Sequence, residues 1–298
     1  MGNISPGVYT KVIDLSTYVA EVPGTIGLVC MFSKKGPDNV LNLTNSSDKL
    51  ISKYGEPNIG LYGTQYGQGQ YVAFNHLQVS SACYTMRLLP DDAEFATLAI
   101  TIDLDTLLDA TAWLGAEAID ADCITEGVLD TQLAADISVT KNNVCVFYPV
   151  GRGDHYNNYA VKLSLHTNPI VTGIYIIDIY ENQIEGDEDS AQIIETFEVS
   201  FDSTVLDDSG DSIFIEDVLG RYSSVLRCKV NEDQVQAVAD ENGTHETTDP
   251  AYRTYDEVFA DGPIYLDNGN DGSLFNTTNG RLVINSDTAT ELLTQAYM

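Results

Sequence analysis

The sequence predicts an α+β protein: a small α/β unit near the N-terminus followed by an acidic, β-rich antiparallel domain. Strand and helix patterns alternate between residues 21 and 89, which marks an α/β layer. Four strand patterns then follow one another between Val144 and Phe201, and acidic turns punctuate the later segments. The charge also changes at Arg87. Residues 1–87 carry six Lys/Arg against five acids, a net of +1, so the remainder of a chain with net charge −31 carries −32. No basic residue lies between Arg87 and Lys141, and none between Lys162 and Arg221. At 298 residues the chain has room for about two cored domains.

The elements follow in order. Ser5 to Tyr18 (SPGVYTKVIDLSTY) opens on a Pro-Gly punctuator and reads as a strand of mixed character on both faces. Such a strand pairs with an edge of its own domain or is lent to a neighbouring chain. Thr25 to Ser33 is a buried-strand pattern ended by Lys34-Lys35-Gly36-Pro37, and Val40 to Leu43 is a second short strand. Ser46-Ser47-Asp48 caps a short helix with Leu50, Ile51 and Tyr54 on one face, closed by Gly55. Tyr66, Ala73, Phe74 and Leu77 make the apolar stripe of a second helix, and Ala82 to Leu89 returns to strand. Leu98 to Ile102 has strand character, whereas 104–142 is acidic and without clear period. Val144–Val150, Tyr159–His166, Gly173–Tyr180 and Glu195–Phe201 are the strong strands, the second alternating cleanly through Val161, Leu163 and Leu165. Residues 232–280, rich in Asn, Asp, Gly and Thr, read as a looser stretch. Asp287 caps a helical pattern that runs to Met298 without a C-cap signal.

Composition narrows the function. A surface this negative repels phosphate backbones, so nucleic acid is not an expected partner. MGNISPG has neither the basic nor the apolar region of a signal peptide, and the longest apolar run, Ile26 to Phe32, is far too short to span a bilayer. The five cysteines include no CxxC pair, and Cys30, Cys83 and Cys145 lie in apolar runs, so they read as reduced core residues of an intracellularly made product.

Catalytic and cofactor signatures are missing from the sequence. The glycines around Gly60–Gly69 lack a Walker lysine and a preceding strand. Asp267 to Gly272 (DNGNDG) starts like a calcium loop, but its third position is Gly269 and its twelfth is Thr278, so it reads as a polar turn. His76, His155, His166 and His245 have no zinc spacing, no GxSxG elbow occurs, and Arg152-Gly153-Asp154 reads as a turn. The expectation is no enzyme, no cofactor and no metal site. A hydrolase would need a concave site with carboxylates at fixed separation.

The order of segments resembles the contractile phage tail sheath proteins. SPGVY (Ser5–Tyr9), the strand ending in SKKGP (Ser33–Pro37), LISKYGEPN (Leu50–Asn58), HLQ (His76–Gln78) and CYTMRLLPDDAEFATLAI (Cys83–Ile100) carry the likeness. It continues through YPVGRGDHYNNYAVKLSL (Tyr148–Leu165), FIEDVLGRYSSVL (Phe214–Leu226) and LDNGNDGS (Leu266–Ser273). The resemblance implies a virion structural protein, made in the host cytoplasm. Its subunits form six-fold rings stacked helically around a tail tube, with baseplate and tail terminator proteins as further partners and no insertion into membrane.

The same resemblance divides the chain. It implies an inter-subunit arm at 1–20, an α/β unit at 21–89, an outer acidic β-rich domain at 90–262 and, at 263–298, the start of a return into a C-terminal α/β domain. Val8, Tyr9, Lys11, Val12 and Ile13 are the arm residues expected to add a strand to a neighbouring subunit. Contraction of the lattice would then drive the tube through the host envelope and permit genome ejection. The family's members carry a further α/β domain and a second arm beyond the stretch matched here. A soluble monomer is therefore expected for the isolated chain, as a fragment or as one half of a divided sheath. The alternative is a virion surface adhesin whose β-rich domain binds glycans.

Overall fold

The computed structural model describes residues 26–60, 67–90, 92–103, 114–118, 141–166, 173–184, 186–207, 209–243, 252–272, 275–278 and 281–284. The expected arm with Val8, Tyr9, Lys11, Val12 and Ile13, the helical pattern after Asp287 and most of 104–142 lie outside these residues.

The first unit is a three-stranded sheet with two helices. β1 (Gly27–Met31) pairs parallel with β3 (Cys83–Arg87), and β2 (Asn42–Thr44) pairs antiparallel on the other side of β3. Parallel pairing needs a crossover, which α1 (Ser47–Tyr54) and α2 (Gln68–Val79) supply. α1 starts where the capping signal predicts: the Ser46 hydroxyl accepts from the Lys49 N–H, and Gly55 closes the helix at φ 83°. Leu50, Tyr54, Ala73 and Leu77 pack on Met31 and Cys83, with Val29 beside them. α2 buries Gln70, whose amide donates to the carbonyls of Tyr54 and Gly55 and so ties α1 to α2.

Two four-stranded antiparallel sheets form the acidic part. One runs β10 (Leu226–Val230), β6 (Lys141–Pro149), β4 (Leu98–Asp103), β5 (Leu114–Glu117). The other runs β11 (Ile264–Tyr265), β7 (Tyr159–Leu165), β8 (Ile174–Asn182), β9 (Ala191–Ser200). One core draws on both sheets: Ile100, Phe147 and Cys228 from the first, Val161, Leu163, Ile177 and Ile179 from the second. α3 (Ile215–Tyr222) closes it with Ile215, Val218 and Leu219, and Val238 of α4 (Glu232–Asn242) joins them. The α+β class therefore holds.

α4 corrects one expectation, since 232–242 is helix and not loose chain. Asn231 caps it by accepting from the Gln234 N–H. Its acidic, Gln-rich surface leaves so few apolar positions that the helical period is faint. A hairpin, β12 (Phe275–Thr278) with β13 (Arg281–Ile284), completes the described chain. Among the described cysteines Cys83, Cys145 and Cys228 are buried, Cys30 is half-buried, and all four are free.

Candidate assembly surface and the joint behind it

Arg87 ends β3, and its side chain is fully buried. Nε donates to the Ser33 carbonyl at 2.8 Å, Nη2 to Lys34 at 3.1 Å, and Nη1 to Gly36 at 3.3 Å and to Arg152 at 2.6 Å. The Asp271 carboxylate lies 3.7 Å from Nη2. A buried guanidinium is tolerable only when its fork of donors is met in this way. The turn that brings these carbonyls together needs Gly36 (φ 107°), where a Cβ would lie 2.4 Å from the Tyr54 ring. Gly153 (φ 125°) does the same from the far side, where a Cβ would meet Asp271 at 2.4 Å.

Two further clasps flank Arg87. Arg152 binds Asp38 through Nη2 at 2.7 Å, through Nε at 2.8 Å and through its own backbone N–H at 2.8 Å, and its Nη1 donates to the Ala93 carbonyl. Lys35 Nζ donates to Glu181 at 3.0 Å and to the Tyr159 hydroxyl at 3.2 Å, while Tyr159 donates to the same carboxylate at 2.7 Å. His155 Nε2 stands 3.5 Å from it. Burial works to raise the Glu181 carboxyl, but His155, Tyr159 and Lys35 around it prevail and hold it down at about 2. Tyr156, buried beside them, is pushed up to about 12 by desolvation while its hydroxyl accepts the Gly36 N–H at 2.7 Å. A cleft of about 580 Å³ opens next to this cluster, walled by Lys34, Lys35 and Gln70 on one side and His155, Glu181 and Gln183 on the other.

The calcium-like stretch serves the same joint. Asp267 and Asn270 bridge to Thr97 and Glu94, and the Asn157 side-chain amide both donates to and accepts from the Gly269 backbone. Its one carboxylate aimed inward, Asp271, faces Arg87. Among the described residues no group of three or more His, Cys, Asp or Glu is placed to hold a metal ion. Arg152, which the sequence marks only as part of a turn, proves to be a structural anchor.

Among the described residues, the three-stranded sheet carries helices on one face only. On its other face Leu28, Tyr84 and Leu43 stand side by side across the strands, with Cys30 next to Met86 in the adjacent row. Leu28 is 62 % exposed and Leu43 57 %, and Ile26 and Leu41 extend the patch at 56 % and 53 %. An apolar patch of this kind is a candidate contact surface. The sequence pattern of Thr25–Ser33 reads as buried on both sides, which is how it conceals the difference between the two faces.

No family model matches the chain, and no curated protein matches it. Among solved structures, it is similar to a sheath tail protein of Listeria innocua, at 12 % identity and a TM-score of 0.39 over 91 % of this chain and 37 % of that one. It is similar also to a sheath tail protein of Desulfitobacterium hafniense, at 10 % identity and a TM-score of 0.38 over 98 % of this chain and 43 % of that one. These structural neighbours are sheath tail proteins. The chain spans less than half the length of either neighbour.

Proposed function

We propose that the chain is a structural subunit of a contractile tail sheath, or the amino-terminal part of one. The observation that carries this reading is the joint at Arg87. Three of the segments on which the resemblance rests, Ser33–Pro37, Tyr148–Leu165 and Leu266–Ser273, are remote in sequence and meet there. In this reading residues 21–89 work with the segment after 263, while 90–262 form an outer acidic part. The joint makes them move together, as a subunit must when a lattice shortens and pulls on it. The arm at 1–20, through Val8, Tyr9, Lys11, Val12 and Ile13, adds a strand to a neighbouring subunit and keeps the rings connected. The tail tube, baseplate and terminator are the remaining partners, the role is mechanical, and no catalysis or cofactor is required.

The test is immunogold labelling of particles from the strain that carries the gene, using antibody against residues 90–262. Regular decoration along a contractile tail supports the reading. Label confined to a fibre tip supports the adhesin reading, and particles without label overturn both. One observation favours the adhesin: a cleft of about 450 Å³ lined by Tyr175, Phe201, Tyr252 and Tyr255 beside Asp202 and Asn242, a mixture of rings and polar groups suited to a sugar. A glycan array probed with the purified chain decides that alternative.

A further inference from the structure

We propose that α2 of a second copy of this chain lies across the uncovered face of the β1–β3–β2 sheet, so that neighbouring copies supply one another's missing helix layer. The inference rests on the sheath reading and deepens it by naming a surface through which subunits meet. The need for a cover comes from the sheet. β1 and β3 are parallel, and parallel strands are characteristically buried on both faces. Among the described residues α1 and α2 fill one face, which leaves Leu28, Leu43 and Tyr84 on the other.

The same unit carries a helix side suited to be that cover. α2 turns Gln70, Ala73 and Leu77 inward. On its solvent side Tyr71, Val72, Asn75 and Val79 form a stripe at i, i+1, i+4 and i+8. All four are exposed, Val79 at 87 %. α2 contains no Asp, Glu, Lys or Arg, in a chain of net charge −31. A helix that is apolar or uncharged all round is suited to packing on both sides. The dimensions agree as well. α2, with 12 residues, is about 18 Å long and some 10 Å wide. The sheet, three strands across with five residues in β1 and β3, measures about 17 by 10 Å. One helix laid along the strands therefore covers it.

Charge selects the occupant. Residues 1–87 carry a net of +1 and the rest of the chain −32, so two copies repel least where their first units meet. A basic partner would be drawn to the acids beyond Arg87 and gains nothing from an uncharged stripe. The contact is heterologous, because the helix side of one copy meets the sheet side of the next, and it repeats into a ring or a filament. Each patch is on the order of a few hundred Å², short of the roughly 800 Å² per partner of a stable complex. The contact is weak between two free chains and gains strength by repetition in a lattice.

Cys30 lies on the sheet face and reports on it. Two kinds of chain, both carrying Cys123→Ser, are mixed at millimolar concentration and treated with a short bismaleimide. One keeps Cys30; the other carries Cys30→Ser with Asn75→Cys on the solvent side of α2. Cross-links are expected between the two kinds and not within either. Val79→Asp in the second kind should lower their yield about tenfold with unchanged circular dichroism, and Ile184→Asp on the acidic part should not. Cross-links only within the second kind overturn the proposal in favour of helix-to-helix pairing, and only within the first in favour of sheet-to-sheet pairing. An equal yield with Val79→Asp overturns it, as does the absence of cross-links from every mixture. These readouts use the purified chain, so their failure is distinguishable from a failure of the particle labelling.

Discussion

Arg152 and Asp38 meet three times: both carboxylate oxygens of Asp38 are engaged, one by Nε and Nη2 of the guanidinium and the other by the backbone N–H of the same arginine. The clasp thereby fixes the loop at Arg152 in orientation as well as position. Its carbonyl is aimed at Arg87 as a result.

Removing the centre of this arrangement is expected to be severe. Arg87→Ala leaves Asp271 and several inward carbonyls without their donor and should cost about 3–5 kcal/mol. Arg87→Lys keeps the charge but cannot serve four carbonyls with one ammonium, so it should recover only part of that loss. Urea unfolding with unchanged slope measures both. A wild-type midpoint for Arg87→Ala would remove the joint from the account.

Acid should weaken the neighbouring cluster. The Glu181 carboxyl sits at about 2 in the folded chain against an ordinary 4.5. Its contribution is complete above pH 4.5 and is lost as pH falls from there toward 2, because the unfolded state then binds the proton first. Glu181→Gln should be less stable at neutral pH and lose less on acidification across this window. Thermal melts at stepped pH follow the difference between the two proteins.

Alkali acts on the tyrosines with the opposite sign. Desolvation pushes Tyr156 and Tyr175 up to about 12 from an ordinary 10. Their stabilisation is present below pH 10 and is lost between pH 10 and 12, where the unfolded chain ionises and the folded one does not. The tyrosinate absorbance owed to these two residues, read as the difference between wild type and a Tyr156→Phe/Tyr175→Phe double variant, should rise together with unfolding; its rise before any loss of structure would contradict this.

Two quieter substitutions probe the turns. Tyr156→Phe strips the Gly36 N–H of its acceptor and should cost about 1–3 kcal/mol. Gly153→Ala combines a φ of 125° with a Cβ placed 2.4 Å from Asp271, and should cost at least as much. Differential scanning calorimetry of the pair checks both.

Much of the fold was legible because local chemistry and tertiary structure agree. Ser46 and Gly55 mark α1 without ambiguity, and the alternation through Val161, Leu163 and Leu165 gives β7 its buried face. α3 and α4 were not, since Phe214 ahead of α3 makes no side-chain cap and α4 buries only Val238 completely. The joint was half legible. Arg87 stood out as the place where charge changes sign, yet its burial depends on carbonyls and a carboxylate from remote turns, which no local pattern encodes. Arg152 was hidden for the same reason, its partner being far away at Asp38.

The span between Arg87 and Asp271 also sets an order on biosynthesis. Roughly 180 residues separate the cation from its carboxylate, on the order of ten seconds or more of translation. Through that interval β3 leaves the ribosome with its guanidinium still awaiting an anion, so the joint at Arg87, as distinct from the core of the first unit, is completed only after the outer sheets have been made. A nascent chain stalled before Asp271 should thus be protease-sensitive at the Ser33–Pro37 turn, and one stalled well beyond it resistant.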